Sequence, residues 1–204
     1  MKSKEKGLSP LLVLLIFFIG ILLKVALAFS LPVYHDVGWY ISLLEYHDAA
    51  FINLIVLEHP PLGYYPYLLF LELFGLHDFV LRFVPLLFGC LQLFLLYYVA
   101  RKWFGKKTAD YTIILSSLLY FAAINNLSPE GDGSIMGFFS LLFFYCVFEY
   151  YQSFKDYFAE RRQQNIIFFL LSGLFLGVLL LIKVRAILFF VPFFFTAIIK
   201  QRIL

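Results

Sequence analysis

The ionisable side chains that could do chemistry are concentrated in two stretches between long apolar runs. The first stretch, 32–78, holds ten of them: His35, His47, His59, His77, Asp36, Glu45, Asp48, Glu58, Glu72 and Asp78. The second holds Glu130 and Asp132 within a Gly-containing, turn-like sequence at 128–133. A carboxylate of this kind takes a proton from a nucleophile, and neighbouring cations bind an anion such as a phosphate. The sequence therefore predicts a site that handles an anion and also provides a base.

The elements that must position these residues are apolar runs of membrane-helix length. Of the 204 residues, 63% are hydrophobic and only 14% are charged, whereas soluble domains have about a quarter charged residues. Apolar runs cover 8–29, 79–100, 109–127, 135–151, 166–182 and 186–199. A spanning helix needs ~20 apolar residues. The sequence thus predicts an all-α polytopic membrane helical bundle with about six spans, and it excludes a soluble globule, a disulfide scaffold and a nucleic-acid partner.

The distribution of basic residues predicts which side each loop faces. The apolar piece 62–75 contains Pro66 and Glu72, and we expect it to lie along the interface without crossing. Most of the basic residues are then cytoplasmic: Lys2, Lys4, Lys6, Arg101, Lys102, Lys106, Lys107, Lys155, Arg161, Arg162, Lys200 and Arg202. If 62–75 crossed, the two central clusters would face outside, against the positive-inside rule. The alternative, a cleaved signal over 8–29, also leaves the N-terminus cytoplasmic.

The four remaining cations fall on the extracytoplasmic half of this predicted bundle. They are Lys24, Arg82, Lys183 and Arg185. Basic residues at apolar depth are costly and usually mark a substrate or ion site. Lys24 lies near a helix end, so we expect its side chain to snorkel to the interface. Lys183 and Arg185, at the tip of an apolar hairpin, are expected to bind an anion. Composition alone does not separate an enzyme from a transporter or a channel subunit.

The order of several short motifs resembles that of a known family. Tyr-His-Asp-Val-Gly-Trp-Tyr at 34–40 follows the first run, and His-Pro-Pro-Leu-Gly-Tyr-Tyr occupies 59–65. Leu-Arg-Phe-Val-Pro follows at 81–85, and Ala-Arg-Lys-Trp-Phe-Gly at 100–105. This order resembles the N-terminal half of the GT-C glycosyltransferases related to protein O-mannosyltransferases and the lipid A aminoarabinose transferase, over about 8–202. The box at 59–65 is the most specific element.

The resemblance implies a multi-pass membrane glycosyltransferase, either a hexosyl- or a pentosyltransferase, at the plasma membrane. Such an enzyme moves a sugar from a polyprenyl-phosphate donor to a lipid, glycan or protein acceptor on the extracytoplasmic face. It implies a single transmembrane domain over 1–204, the N-terminal half of a GT-C module, with juxtamembrane helices in the outer loop 32–78. The alternatives are a non-catalytic polytopic protein, such as a lipid-linked-sugar transporter or an assembly subunit, and an inactive fragment.

The same resemblance implies roles for six residues. Asp36 matches the catalytic base, although Val37 stands where relatives often have a second acid. Four residues match positions near the donor phosphate, namely His59, Arg82, Lys183 and Arg185. Asp132 matches an acid that lines the cavity. The structural alternatives are an i,i+4 pair of Arg82 with Asp78 and an ordinary turn at Asp132. No cofactor is expected to be required, because no metal-ligand spacing occurs, although a divalent cation stays open.

Overall fold

The computed structural model describes residues 7–30, 61–63, 65–75, 78–118, 133–160 and 165–182. Within these ranges the chain forms six α-helices, a short 3-10 helix at Pro61–Gly63 and no strand. The helices are α1 (Pro10–Ser30), α2 (Tyr65–Phe74), α3 (Asp78–Phe104), α4 (Lys106–Leu118), α5 (Ser134–Glu160) and α6 (Ile166–Ile182). The predicted all-α membrane bundle is therefore confirmed as the fold class.

Three of the described helices are long and apolar enough to cross a membrane. The qualifying segments are Pro10–Leu27, Arg82–Phe104 and Ser134–Phe154, in α1, α3 and α5. The apolar α6 has 17 residues, and α4 has 13 within the described part of the chain. Of the six predicted spans, three thus have the length of a membrane helix here, and the run at 186–199 lies outside the described residues.

Local sequence signals set the helix ends. Ser9 precedes α1, where its side-chain oxygen accepts a hydrogen bond from the Leu12 backbone N–H at 3.3 Å, and Pro10 occupies the first helical position, as is common for proline. Gly105 has a φ of 89° and is the single residue between α3 and α4. Glycine adopts this left-handed conformation without steric cost, so α3 stops there and the chain reverses direction.

One end of the bundle, which we call the basic end, is fastened by polar contacts. The Leu8 backbone N–H donates to Asp110 Oδ2 at 2.7 Å, and Lys106 Nζ donates to the Leu8 carbonyl. These bonds place the starts of α1 and α4 side by side. On the other side of α3, Lys102 Nζ lies 2.8 Å from Glu149 Oε2 on α5. The helices therefore share one polar, basic boundary.

The opposite end, which we call the loop end, is where α1 and α6 finish and α5 begins. A buried apolar cluster closes the bundle there. Its members, from α2, α3, α5 and α6 in turn, are Tyr67, Val84, Ile135 and Ile182. Because these four helices meet in one cluster, α2 is packed onto the bundle and is not a separate unit. The predicted helix within 62–75 is present, at Tyr65–Phe74.

Candidate functional site

The loop-end cluster forms an apolar base beneath the place where the site is predicted. Leu62, Phe70 and Phe88 pack against its four buried residues. Phe70 of α2 also meets Phe83 of α3 edge-on, with ring centroids 5.2 Å apart. Close packing of this kind holds the start of α3 against α2.

Four described elements at this end, the 3-10 helix, α3, α5 and α6, contain or adjoin a residue that the sequence predicts for the site. The adjoining pairs are His59 with Pro61, Arg82 with Val84, Asp132 with Ser134, and Lys183 with Ile182. Members of a pair are one or two positions apart, and successive Cα atoms are ~3.8 Å apart. The described neighbours of four predicted site residues, which are up to about 120 positions apart in the chain, therefore converge at one end of the bundle.

Arg82 is the one predicted site residue within the part of the chain that the structure describes. It lies two residues before Val84 on α3, is half-buried, and interacts with a neighbouring group. The remaining five predicted site residues lie outside the described residues: Asp36, His59, Asp132, Lys183 and Arg185. Their roles stay predictions, as does the pairing of Arg82 with Asp78, whose side chain is also outside the description.

Tyr67 is a residue at this end that the sequence did not single out. Tyrosines of membrane proteins are enriched at the membrane–water interface, and Tyr65, at the start of α2, is 56% exposed. Tyr67, two positions later on α2, is 1% exposed and lies inside the cluster. Burial raises the pKa of its phenol.

Lys24 is the second residue whose environment the sequence did not predict. The expectation that it snorkels to the interface is wrong, because its side chain is 1% exposed within the bundle. It falls on the packing side of α1, together with Val13, Phe17 and Gly20 at spacings of four, three and four residues. That spacing was the available signal, and it was outweighed by the position of Lys24 near the end of an apolar run.

Metal binding is not resolved by the described residues. Within the described ranges no three His, Cys, Asp or Glu side chains come together as a metal site. All four histidines of the chain lie outside those ranges. The expectation that no cofactor is required therefore stays a prediction.

A comparison with protein families decides the class of the protein. A family model described as dolichyl-phosphate-mannose-protein mannosyltransferase matches residues 58–204, well over half of the chain. The chain belongs to this mannosyltransferase family. The resemblance to GT-C glycosyltransferases is thereby confirmed. No curated protein and no solved structure matches the chain.

The matched range includes the box at 59–65, Arg82, Asp132 and the Lys183–Arg185 pair, and it leaves out the first 57 residues. Asp36 and Lys24 are therefore outside it. Together with the three apolar helices of membrane-spanning length, membership of this mannosyltransferase family makes the chain an integral membrane protein of the glycosyltransferase class.

Proposed function

We propose that this member of the mannosyltransferase family transfers a sugar from a polyprenyl-phosphate donor to a lipid, glycan or protein acceptor on the extracytoplasmic face. The observation that carries the proposal is the convergence at the loop end. Elements adjoining His59, Arg82, Asp132 and Lys183 meet there around one buried cluster. Cations next to a buried apolar cluster suit the binding of a lipid phosphate, because charge interactions are stronger in a medium of low dielectric constant.

The expected reaction is an inverting substitution at the anomeric carbon. Asp36 removes the proton from an acceptor hydroxyl, whose oxygen forms a new bond to that carbon. The bond between the anomeric carbon and the phosphate oxygen breaks, and the polyprenyl phosphate leaves with the bonding electrons. Negative charge grows on the leaving phosphate, so Arg82, Lys183 and Arg185, with His59, stabilise it as it departs. Asp132 lines the same cavity in this proposal.

The proposed sidedness is supported by the contrast between the two ends of the bundle. The basic end carries Arg101 and Lys102 of α3 and Lys106 and Lys107 of α4. Loops rich in Lys and Arg remain in the cytoplasm. The loop end, with Arg82, then faces the extracytoplasmic side, where a lipid-linked sugar would be consumed.

The test is sugar transfer by the full chain in lipid nanodiscs with a radiolabelled polyprenyl-phosphate mannose donor and a membrane extract as the acceptor source. Asp36→Asn is expected to lower the release of polyprenyl phosphate by about 100-fold or more, as loss of a general base does. Asp48→Asn, in the same loop, is the matched control and is expected to retain wild-type activity.

Two results would contradict the proposed function. Wild-type turnover by Asp36→Asn at an equal protein level removes Asp36 from the mechanism. A wild-type chain that binds the donor and moves it between leaflets but leaves it intact is a transporter, not a transferase.

A further inference from the structure

Lys24 is a buried cation that the proposed mechanism does not use. Its side chain is 1% exposed, and its Nζ makes no hydrogen bond with any residue that the structure describes. Lysine is almost never fully buried without a partner, because the charge loses its hydration. The position therefore calls for an anion that the described residues do not supply.

The packing of α1 fixes the direction of this side chain. One face of the helix carries Val13, Phe17, Gly20 and Lys24. The ring of Phe17 lies 4.1 Å from that of Phe94 on α3. A Cβ on Gly20 would lie 2.5 Å from Ser117 Cβ on α4, so the two backbones are close. Because Lys24 is one turn beyond Gly20 on the same face, its side chain enters the bundle between α1 and its neighbours.

The surroundings of Lys24 offer polar atoms but no described counter-charge. Cys90 of α3 is close enough to interact electrostatically with the ammonium, and it is half-buried. Ser117 Oγ of α4 is buried, would lie 2.7 Å from a Cβ built on Gly20 one turn before Lys24, and has no hydrogen-bond partner in the described structure. The carboxylates whose side chains are described lie elsewhere: Asp110 and Glu149 at the basic end, and Glu72 exposed on α2.

The depth of Lys24 places it in the same half of the bundle as Arg82. It lies six residues before Ser30, about 9 Å below the loop end at 1.5 Å per residue. Much of the rest of α1 is exposed, as expected for a lipid-facing helix. Lys24 and Arg82 are therefore two cations in the same half of the bundle.

We propose that Lys24 binds the phosphate group of a polyprenyl phosphate between α1 and α3. This inference rests on the proposed function, which provides an anion attached to a lipid chain in this half of the membrane. The unpartnered hydroxyl of Ser117 on the adjacent α4 can donate a hydrogen bond to a phosphate oxygen. Lys24 lies outside the residues matched by the family model, so its role follows from the packing of this chain alone.

The experiment measures the binding of radiolabelled polyprenyl phosphate, without sugar or acceptor, to the full chain in nanodiscs. Lys24→Met keeps the length of the side chain and removes the charge, and it is expected to weaken binding at least about tenfold. Lys24→Arg keeps the charge and is expected to bind within about threefold of wild type. The matched control is Lys107→Met, which removes an exposed cation of α4 at the basic end and leaves binding unchanged.

Thermal unfolding of the same samples gives a second measurement. Without ligand, Lys24→Met is expected to unfold at or above the wild-type temperature, because an apolar side chain replaces an unpaired buried charge. Polyprenyl phosphate should raise the unfolding temperature of the wild type but not of Lys24→Met.

Two outcomes overturn the inference, and a third acts on the proposed function. Equal binding of polyprenyl phosphate by Lys24→Met and wild type would show that Lys24 does not bind the phosphate. A lower unfolding temperature of Lys24→Met without ligand shows that a carboxylate of the chain is the partner. Absence of polyprenyl phosphate binding by the wild type itself contradicts the proposed function, and this inference with it.

Discussion

The two ends of the bundle differ in how their polar groups are paired. At the basic end they are paired: Asp110 accepts from the Leu8 N–H, and Lys102 contacts both Glu149 and the Tyr145 hydroxyl, the latter at 2.9 Å. Toward the loop end, Lys24 and Ser134 have buried polar atoms without a hydrogen-bond partner among the described residues. Paired groups hold helices together, whereas a buried polar group without a partner is energetically costly and indicates that a partner is missing. The first region therefore fastens the helices, and the second is where we propose that a ligand binds.

The largest effect is expected from removing a positive charge at the loop end of α3, compared with removing one at the basic end of the same helix. Arg82→Met, at the loop end of α3, should lower sugar transfer by about 100-fold, because it removes a cation that we propose stabilises the leaving phosphate. Arg101→Met, which removes the same charge at the basic end, should keep transfer within about twofold. Initial rates in nanodiscs measure both. Equal losses in the two variants would show that overall charge, not position, matters.

The next effect concerns the fastening at the basic end. Asp110→Ala deprives the half-buried Leu8 N–H of its acceptor and leaves Tyr97, whose hydroxyl lies 3.4 Å from Asp110 Oδ1, without this partner. We expect a loss of about 3 kcal/mol in the free energy of unfolding. Denaturation in detergent micelles measures it, with the exposed Tyr111→Phe as the control. A stability unchanged within about 0.5 kcal/mol would show that α1 does not depend on this contact.

A smaller loss is expected where α1 approaches α4. Gly20→Ala places a Cβ 2.5 Å from Ser117 Cβ, so the helices must separate. The expected cost is about 2 kcal/mol, typical of overpacking. Gly173→Ala is the control, because nothing lies within 4 Å of a Cβ at that position on α6. If both variants unfold at the same temperature, the close approach of α1 and α4 is not needed for stability.

The smallest effect is expected from the ion pair between α3 and α5. The Lys102 and Glu149 side chains are 38% and 15% exposed, so water and salt weaken their attraction. Glu149→Gln should lower the free energy of unfolding by about 0.5–1 kcal/mol, since Trp103 Nε1 can still donate to the amide oxygen. High salt should shrink the difference from wild type. A difference that grows with salt would contradict an electrostatic origin.

Helix positions were predictable from the sequence because apolar runs of this length have few alternatives. The predicted run 166–182 coincides with α6, and 8–29 differs from α1 by one or two residues at each end. The run 135–151 underestimates α5, which continues through polar residues to Glu160. Similarly, α4 begins at Lys106, three residues before its apolar run, because Gly105 ends the preceding helix.

The direction in which side chains point could not be predicted in the same way. Helices such as α1 and α6 are apolar almost all round, so no polar face marks which side packs and which meets lipid. Lys24 was assigned to the interface because it lies near the end of an apolar run, although it packs inside. The sequence and the family resemblance predicted which residues belong to the site. That their neighbours in the chain converge became visible only from the tertiary contacts of Tyr67, Val84, Ile135 and Ile182.

The single residue between α3 and α4 also limits how the bundle can move. With only Gly105 as connection, neither helix can slide along its axis without dragging the other, and the Lys106–Leu8 bond extends that coupling to α1. The three helices α1, α3 and α4 are thus joined to one another at the basic end. If the bundle widens to admit a lipid headgroup, we expect the helices to separate first at the loop end, by tilting and not by sliding along their axes.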